Sequence, residues 1–357
     1  MLISNLLLIP GTGDTASEIF RALRYEKTVR LYASSHGETH TEPEHTPHRM
    51  TPIRQLPFIA DTNFPGALQN ALEQASIDYI VPTTAEARTF FKHHTNSLPV
   101  LDTQITREQP SPQDAEVRID CYSDKQHHLV YVAARKRMET QNKTDTVWQT
   151  VALSPEQKVF AAACAQKNGL TGAWSFTPAT RTTPEIVIPY FIPEMGLHRA
   201  LGVNFLLLML HEARGNQIKA LPINACAKWS ENTKGISVKL EYQTVFLDLD
   251  DTLIVQGTIN DTVVAFIYRC QAKNTPVYLI TRHYRDPAIT LCEFGIAEKL
   301  FEDIIWIQDK MPKSSFMKDK EAPLFLDDAF SERLAVSSET DIPCLPPEAV
   351  EALMVSL

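Results

Sequence analysis

The sequence has few of the features that mark secreted or membrane proteins. Its six cysteines are scattered along the chain, and no two of them form a CxxC pair. No stretch contains the ~18 consecutive apolar residues that a membrane-spanning helix requires. The first five residues lack the positive charge with which a signal peptide begins. These absences predict a cytoplasmic protein with reduced thiols and without a membrane partner.

Charge is divided unevenly along the 357 residues. From residue 241 onward the chain carries 20 acidic and 10 basic side chains, whereas the first 240 residues carry 23 acidic and 24 basic ones. The acidic third repels polyanions, so a nucleic acid is not expected as a partner. A bound divalent cation would offset part of this charge locally, which favours a metal site in the same third.

The pattern of apolar runs divides the chain into four parts. Residues 1–120 alternate strand runs such as Leu6–Ile9 with helical segments, which predicts a small parallel α/β domain. Residues 121–230 are mixed, with a helix predicted across His128–Arg137. Residues 231–240 are predicted to be a linker, and residues 241–357 return to a full alternation of strands and helices.

Polar residues follow the predicted strands of the last part, where each strand ends. In chain order they are Asp248-x-Asp250-x-Thr252, Thr281, Lys313 and Asp327-Asp328. Ligands of open α/β sheets bind at the carboxyl ends of the strands. The sequence therefore predicts that these side chains converge on one site.

In this order and at this spacing, the residues resemble the four signatures of the haloacid dehalogenase superfamily. The resemblance covers about residues 241–357 and implies a Rossmann-like domain that acts as a Mg²⁺-dependent phosphatase. It implies Asp248 as the nucleophile that forms an aspartyl-phosphate, and Asp250 as the group that protonates the leaving oxygen and then activates water.

The same resemblance implies roles for the remaining residues. Thr281 and Lys313 would hold phosphate oxygens, and Asp327 would support Lys313. Mg²⁺ would be bound by Asp248, the backbone carbonyl of Asp250 and Asp328. Substrate contacts are expected from Thr252, Arg282 and His283.

Two further features of this domain concern the choice of lysine and the absence of a cap. Lys310 and Lys318 compete with Lys313, which is preferred because it begins a helix-like segment. The intervals from Asp248 to Thr281 and from Thr281 to Lys313 leave no room for an inserted cap domain. An uncapped site implies a substrate that is macromolecular or is enclosed by another domain or subunit.

The first 240 residues resemble an ATP-grasp ligase. The resemblance rests on the glycine turn after Leu6–Ile9, on Asp124-Lys125, and on Pro189–Phe191 followed by Ala200–Asn204. The positions of the metal-binding Glu and Asn of that family fall on Ile186 and Ile188, and no glycine-rich flap is present. Isoleucine cannot coordinate Mg²⁺, so this region is predicted to be a degenerate ATP-grasp-like module.

The function predicted from the sequence is a Mg²⁺-dependent phosphomonoester hydrolase for a small phosphorylated metabolite, such as a sugar phosphate. Two alternatives remain open: an active ATP-grasp carboxylate ligase with an accessory phosphatase domain, and a phosphate-binding regulatory module. A homo-oligomer is compatible with each of these three functions.

Overall fold

The computed structural model describes residues 3–34, 50–53, 56–94, 100–101, 116–139, 145–178, 185–187, 193–233 and 235–355. The chain forms two compact units. Unit 1 comprises Met1–Gly196 and Asn204–Ala220, and unit 2 comprises Leu197–Val203 and Leu221–Leu357. None of the described helices is both long enough and apolar enough to cross a bilayer.

Unit 1 begins with a parallel sheet, as the alternation of strands and helices predicts. Its elements are β1 (Ser4–Ile9), α1 (Asp14–Leu23), β2 (Val29–Ser34), β3 (Met50–Ile53), α2 (Phe64–Gln74), β4 (Tyr79–Pro82) and α3 (Ala85–His94). The strands lie in the order β3-β2-β1-β4, and all the neighbours are parallel. Strand β1 is central, and its residues from Leu6 to Ile9 are fully buried. Burial on both faces explains the unbroken apolar run.

The glycine turn after β1 is required by close packing. A Cβ atom on Gly11 would lie 2.4 Å from the Cβ of Ala33 in β2, a distance at which the backbone would have to shift. The turn therefore has a structural explanation that needs no bound phosphate.

Unit 1 continues with an antiparallel sheet. Its elements are β5 (Val117–Ser123), β6 (Leu129–Met138), β7 (Val147–Val151), α4 (Pro155–Asn168), β8 (Gly172–Thr177), β9 (Glu185–Val187) and α6 (Phe205–Ala213). The strands lie in the order β7-β6-β5-β8-β9. Helix α4 packs on one face through Ala161, Cys164 and Ala165. It begins with a capping box, in which Ser154 accepts the Gln157 N–H and Gln157 accepts the Ser154 N–H.

The helix predicted across His128–Arg137 is wrong, because this segment forms strand β6. Leu129–Val132 contains β-branched and aromatic residues that favour a strand. Strand β6 also pairs on both sides, with β5 and with β7, so tertiary pairing decides the structure of the segment.

The linker predicted at residues 231–240 is also wrong. These residues contain a turn and strand β11 (Ile236–Lys239), which pairs antiparallel with β10 (Cys226–Ser230). The polar composition of the segment reflects an exposed hairpin turn, in which Ser230 accepts the N–H of Thr233.

Unit 2 contains a parallel sheet that confirms the α/β class of this part. Its further elements are α5 (Gly196–Ala200), β12 (Thr244–Leu247), β13 (Ile254–Val255), β14 (Thr258–Ile259), α7 (Asp261–Ala272), β15 (Val277–Thr281), α8 (Pro287–Glu293), β16 (Asp303–Trp306), β17 (Pro323–Leu326), α9 (Phe330–Glu339) and β18 (Cys344–Leu345). The strands lie in the order β16-β15-β12-β17-β18. Between Asp248 and Thr281 the chain forms only the β13–β14 hairpin and α7, so this described interval holds no inserted domain.

Candidate metal and phosphate site

The carboxyl ends of the central strands of unit 2 carry the polar residues that the sequence analysis singled out. Strand β12 lies between β15 and β17, and Leu247 is in register with Leu279 on one side and with Leu326 on the other. Because the strands are parallel, Asp248, Thr281 and Asp327 emerge at one edge of the sheet.

A buried lysine lies between two aspartates at this edge. The Nζ atom of Lys313 is 2.6 Å from Oδ1 of Asp248 and 2.6 Å from Oδ2 of Asp327. All three side chains are buried, whereas Lys310 and Lys318 are exposed. Lys313 begins a short 3₁₀ helix, Lys313–Phe316, which directs its side chain to the strand ends. The geometry thus favours Lys313 over its two neighbours as the lysine of the site.

The aspartate pair after β17 is held by hydrogen bonds to its backbone. The Asp328 N–H donates to the hydroxyl of Thr252 over 2.9 Å. Arg333 donates to the carbonyl oxygens of Asp327 and Asp328 over 2.6 Å and 2.7 Å. Thr252 is fully buried, and its hydroxyl holds this acidic turn in place; its contact with a substrate stays a prediction.

Three carboxylates are close enough to share a cation. Ligand oxygens of Asp248, Asp327 and Asp328 all lie within 4.8 Å of one another. Oxygen-only ligand sets of this kind suit Mg²⁺, which takes one or two carboxylates and keeps several of its waters. Asp250 is expected to contribute through its backbone carbonyl, and its half-exposed side chain points to a different partner, His283.

Burial sets the electrostatics of this group. It raises the pKa of the Asp248 carboxyl well above its ordinary value; Lys313 opposes the rise and Asp327 adds to it. Burial likewise raises the pKa of Asp327, again against the effect of Lys313. For Lys313, burial lowers the pKa, but the two carboxylates outweigh it and the pKa is raised. The ammonium is therefore retained, and a bound cation would favour the ionised form of the two carboxyl groups.

His283 connects Asp250 to the helix that follows β15. Its Nδ1 lies 2.8 Å and 3.0 Å from the two carboxylate oxygens of Asp250, and its Nε2 lies 2.9 Å from Oγ1 of Thr290. Thr290 Oγ1 also accepts a hydrogen bond from Arg285 Nε. Because a carboxylate only accepts hydrogen bonds, the Nδ1–H of His283 donates to Asp250. His283 thus orients the Asp250 carboxylate.

Thr281 and Arg282 occupy different surroundings. Thr281 is fully buried, and its hydroxyl oxygen accepts the N–H of His283 over 3.1 Å, which leaves its own hydrogen available to a ligand. Arg282 donates to the carbonyl oxygens of Asp309 and Met311, so it secures a neighbouring loop. Its predicted contact with a substrate anion would use the N–H groups that these two hydrogen bonds leave over.

Sequence reasoning missed two residues that hold the site together. Arg333 lies on α9 and Thr290 on α8, outside all of the motif segments. Both act through backbone or side-chain hydrogen bonds that become visible only when the helices are placed on the sheet. An arginine five residues after an acidic pair is not a recognised sequence motif, so no signal in the sequence pointed to Arg333.

The residues that suggested a nucleotide site in unit 1 have local partners. Asp124 accepts hydrogen bonds from the N–H groups of Gln126 and His128. Lys125 donates its Nζ hydrogen to the backbone carbonyl of Glu212 at the end of α6. Ile186 lies in β9, whereas Ile188 and the Pro189–Phe191 segment fall outside the described residues.

Comparison with known proteins gives structural similarity without sequence similarity. No protein-family description matches the sequence, and no curated protein resembles it in sequence. The fold resembles biotin carboxylase from Campylobacter jejuni in a complex with an ATP analogue, with a TM-score of 0.45 and 10% identity over 63% of this chain and 75% of that one. It also resembles the biotin carboxylase domain of Hydrogenobacter thermophilus 2-oxoglutarate carboxylase, with a TM-score of 0.46 and 10% identity over 64% of this chain and 74% of that one. Pyruvate carboxylase from Rhizobium etli matches with a TM-score of 0.45 and 12% identity over 63% of this chain and 30% of that one.

These similarities correct the enzyme class predicted from the sequence. The matched proteins named above are biotin carboxylases, whose fold is the ATP-grasp fold, and not phosphatases. The prediction of a haloacid dehalogenase-type phosphatase, a hydrolase of phosphoric monoesters, is therefore wrong. The prediction of an ATP-grasp-like α/β region is supported over about 63% of the chain, at the level of architecture.

Proposed function

We propose that the site at Asp248 binds Mg²⁺ together with the phosphoryl group of a small phosphorylated metabolite, such as a sugar phosphate. The observation that carries the proposal is the buried ammonium of Lys313, 2.6 Å from both Asp248 and Asp327, within a group of three carboxylates. In this role the chain is a phosphate-binding regulatory module.

The charges of the site explain why a cation and an anion would bind together. Three carboxylates and one ammonium leave an excess of negative charge, which repels phosphate. Mg²⁺ cancels that excess and also accepts a phosphate oxygen as a ligand. The metal would be held by Asp248, Asp328 and the carbonyl of Asp250.

The remaining donors of the site would hold the phosphate oxygens. Lys313 supplies a fixed ammonium, which acts as a point charge toward phosphate. Thr281 supplies a hydroxyl hydrogen that no backbone group of its own strand uses, because its oxygen accepts the His283 N–H. The hydrogen bond from His283 holds the Asp250 carboxylate against the imidazole, so that only the backbone carbonyl of Asp250 is assigned to the metal.

Manganese provides a direct probe of the metal part of this proposal. Electron paramagnetic resonance should detect tight Mn²⁺ binding by the full chain, competed by Mg²⁺, and a large loss of affinity in Asp248→Asn. The matched control is Asp251→Asn. Asp251 has a φ of 60°, a left-handed conformation that asparagine also adopts, so that variant should bind Mn²⁺ as the wild type does. Equal Mn²⁺ affinities of wild type and Asp248→Asn would contradict the proposal.

A second candidate function, an ATP-dependent carboxylate ligase in unit 1, is favoured by one charged cluster. The guanidinium of Arg135 is buried, with Nε 2.8 Å from Asp120 Oδ2 and NH1 3.6 Å from Glu194 Oε1. Its Cζ lies 4.6 Å from the ring centroid of Trp148. A guanidinium, carboxylates and an aromatic ring are the groups that recognise phosphate, Mg²⁺ and a base. The isoleucine at 186 weighs against this candidate.

The ligase candidate is tested by nucleotide products. Full-length protein is incubated with Mg-ATP, a panel of carboxylic acids and a panel of amine acceptors, and ADP or AMP is quantified. A ligase forms one ADP or AMP for each bond that joins acid and acceptor, and it does so only when an acceptor is present. Arg135→Gln should lose this activity, whereas the control Arg137→Gln, at an exposed position, should keep it. No acceptor-dependent ADP or AMP with any pair would contradict the candidate.

A further inference from the structure

An exposed rim of two aromatic residues and a methionine adjoins the loop after β15, whose His283 binds Asp250. The side chain of Tyr284 is 82% exposed, that of Met311 is 46% exposed and that of Trp306 is 37% exposed. All three contact the loop that follows β15: Tyr284 is part of it, Trp306 Nε1 donates to the carbonyl of His283, and the carbonyl of Met311 accepts from Arg282. Large apolar groups that are exposed together mark binding surfaces more often than single ones do.

Two contacts connect this rim to the proposed phosphate site. The imidazole of His283 binds Asp250, and the ring of Tyr284 lies 4.5 Å from that imidazole, centroid to centroid. Tyr284 is thus connected to the site through His283 and Asp250, and a ligand that has its phosphoryl group at Lys313 and extends along this side would reach Tyr284.

The loop that carries Tyr284 is fixed on both sides. Arg282 and His283 are held by the hydrogen bonds described above, and Arg285 binds Thr290 and forms an ion pair with Glu293. Asp286 caps α8 by accepting the N–H of Ala288. These bonds fix the backbone of the loop, and the Tyr284 ring, which contacts His283 and Arg285, stays uncovered. Preorganised rings of this kind bind at a low entropic cost.

We propose that Tyr284, with Trp306 beside it, stacks on the flat aromatic base of the ligand, so that the metabolite bound at Asp248 is a nucleoside monophosphate. This inference rests on the proposed function and narrows its ligand class from phosphorylated metabolites in general. The guanidinium of Arg285 lies 5.5 Å from the Tyr284 ring centroid, in a cation–π contact that adds to the anchoring of this side of the ring.

The test compares two ligands that differ only in the base. Calorimetry with the full chain and Mg²⁺ measures the dissociation constants of adenosine 5′-monophosphate and ribose 5-phosphate. Only binding that is lost in Asp248→Asn is counted, which removes any contribution of unit 1. The nucleotide should bind about tenfold more tightly, in the lower part of the range for stacking of a base on an aromatic side chain.

Three further variants separate the outcomes. Tyr284→Ala should bring the ratio of the two constants close to one without weakening ribose 5-phosphate, and Tyr284→Phe should keep the wild-type ratio. Tyr268→Ala, which removes a 59% exposed tyrosine on α7, should also keep it. A wild-type ratio near one, or a ratio that Tyr284→Ala leaves unchanged, overturns this inference and leaves the phosphate site intact. Failure of both ligands to bind wild type in an Asp248-dependent way overturns the proposed function as well.

Discussion

The ammonium of Lys313 lies 2.6 Å from the carboxylate of Asp248, 65 residues earlier in the chain, and the two side chains are buried together. A second carboxylate, that of Asp327, is at the same distance from the ammonium on another strand end. A buried charge is stable only when it is paired and hydrogen-bonded. This relationship ties the ends of β12 and β17 to the 3₁₀ helix that begins at Lys313 and determines the properties of the site.

Lys313→Met should destabilise unit 2 and abolish phosphate binding. The substitution keeps most of the side-chain volume but leaves Asp248 and Asp327 buried without a cation, which costs on the order of 3 kcal/mol. The midpoint of denaturant unfolding and the phosphate affinity are measured together. The exposed Lys318→Met serves as the control and should change neither quantity. An unaltered midpoint in Lys313→Met would show that the ion pair is not formed in solution.

Arg333→Lys should weaken the metal site from a distance. A lysine has one compact ammonium and cannot keep the planar guanidinium's two hydrogen bonds to the Asp327 and Asp328 carbonyls. We expect Mn²⁺ affinity to fall by about tenfold, as for other residues that support metal ligands. Arg137→Lys, on the exposed end of β6, should leave the affinity unchanged. Equal affinities of the two variants would contradict the positioning role of Arg333.

Thiol accessibility should follow the cysteine environments. Burial raises the pKa of Cys270 to about 12 and that of Cys344 to about 12, so both remain protonated and shielded at pH 8. Cys292 is exposed. Mass spectrometry after brief alkylation of the native protein should find Cys292 modified and these two buried thiols unmodified. After denaturation all of them should react. Early modification of Cys270 would contradict the packing of α7 on the sheet.

Ser154→Ala should destabilise unit 1 through the start of α4. The variant loses the side-chain oxygen that accepts the Gln157 N–H, and such a loss costs about 1 kcal/mol. Ser338→Ala, in the last turn of α9 with an exposed side chain, removes a hydroxyl that donates only to the Ala335 carbonyl and should be neutral or slightly stabilising. Comparable losses of unfolding free energy in the two variants would show that the capping box contributes nothing particular.

The sequence predicted the elements of unit 2 that depend on local pattern. The strand runs before Asp248, Thr281 and Asp327 are nearly continuous and apolar, which is typical of parallel strands that are buried on both faces. Their parallel order places the polar residues at one edge, so the convergence of Lys313 with the aspartates followed from the strand ends. Thr252 was placed correctly near the acidic pair, but its burial behind Asp328 was not visible in the pattern.

The elements that were missed depend on contacts between distant residues. Strand β6 was taken for a helix because its charged residues near Arg135 obscure the alternation, and pairing with β5 and β7 overrides that local signal. Strand β11 was taken for a linker because its turn is polar. Arg333 and Thr290 contribute through hydrogen bonds that require the final positions of α9 and α8. The enzyme class was wrong because a motif identifies a set of chemical groups, and the same groups serve binding as well as hydrolysis.

The central claim is that Mg²⁺ and phosphate bind at Asp248 as a pair. Calorimetric titration of the full chain with inorganic phosphate, once in excess Mg²⁺ and once in EDTA, tests it most directly. The account predicts saturable one-site binding in Mg²⁺, its loss in EDTA and its loss in Asp248→Asn with Mg²⁺ present. Phosphate binding of equal affinity in EDTA, or no binding in Mg²⁺, would contradict the account.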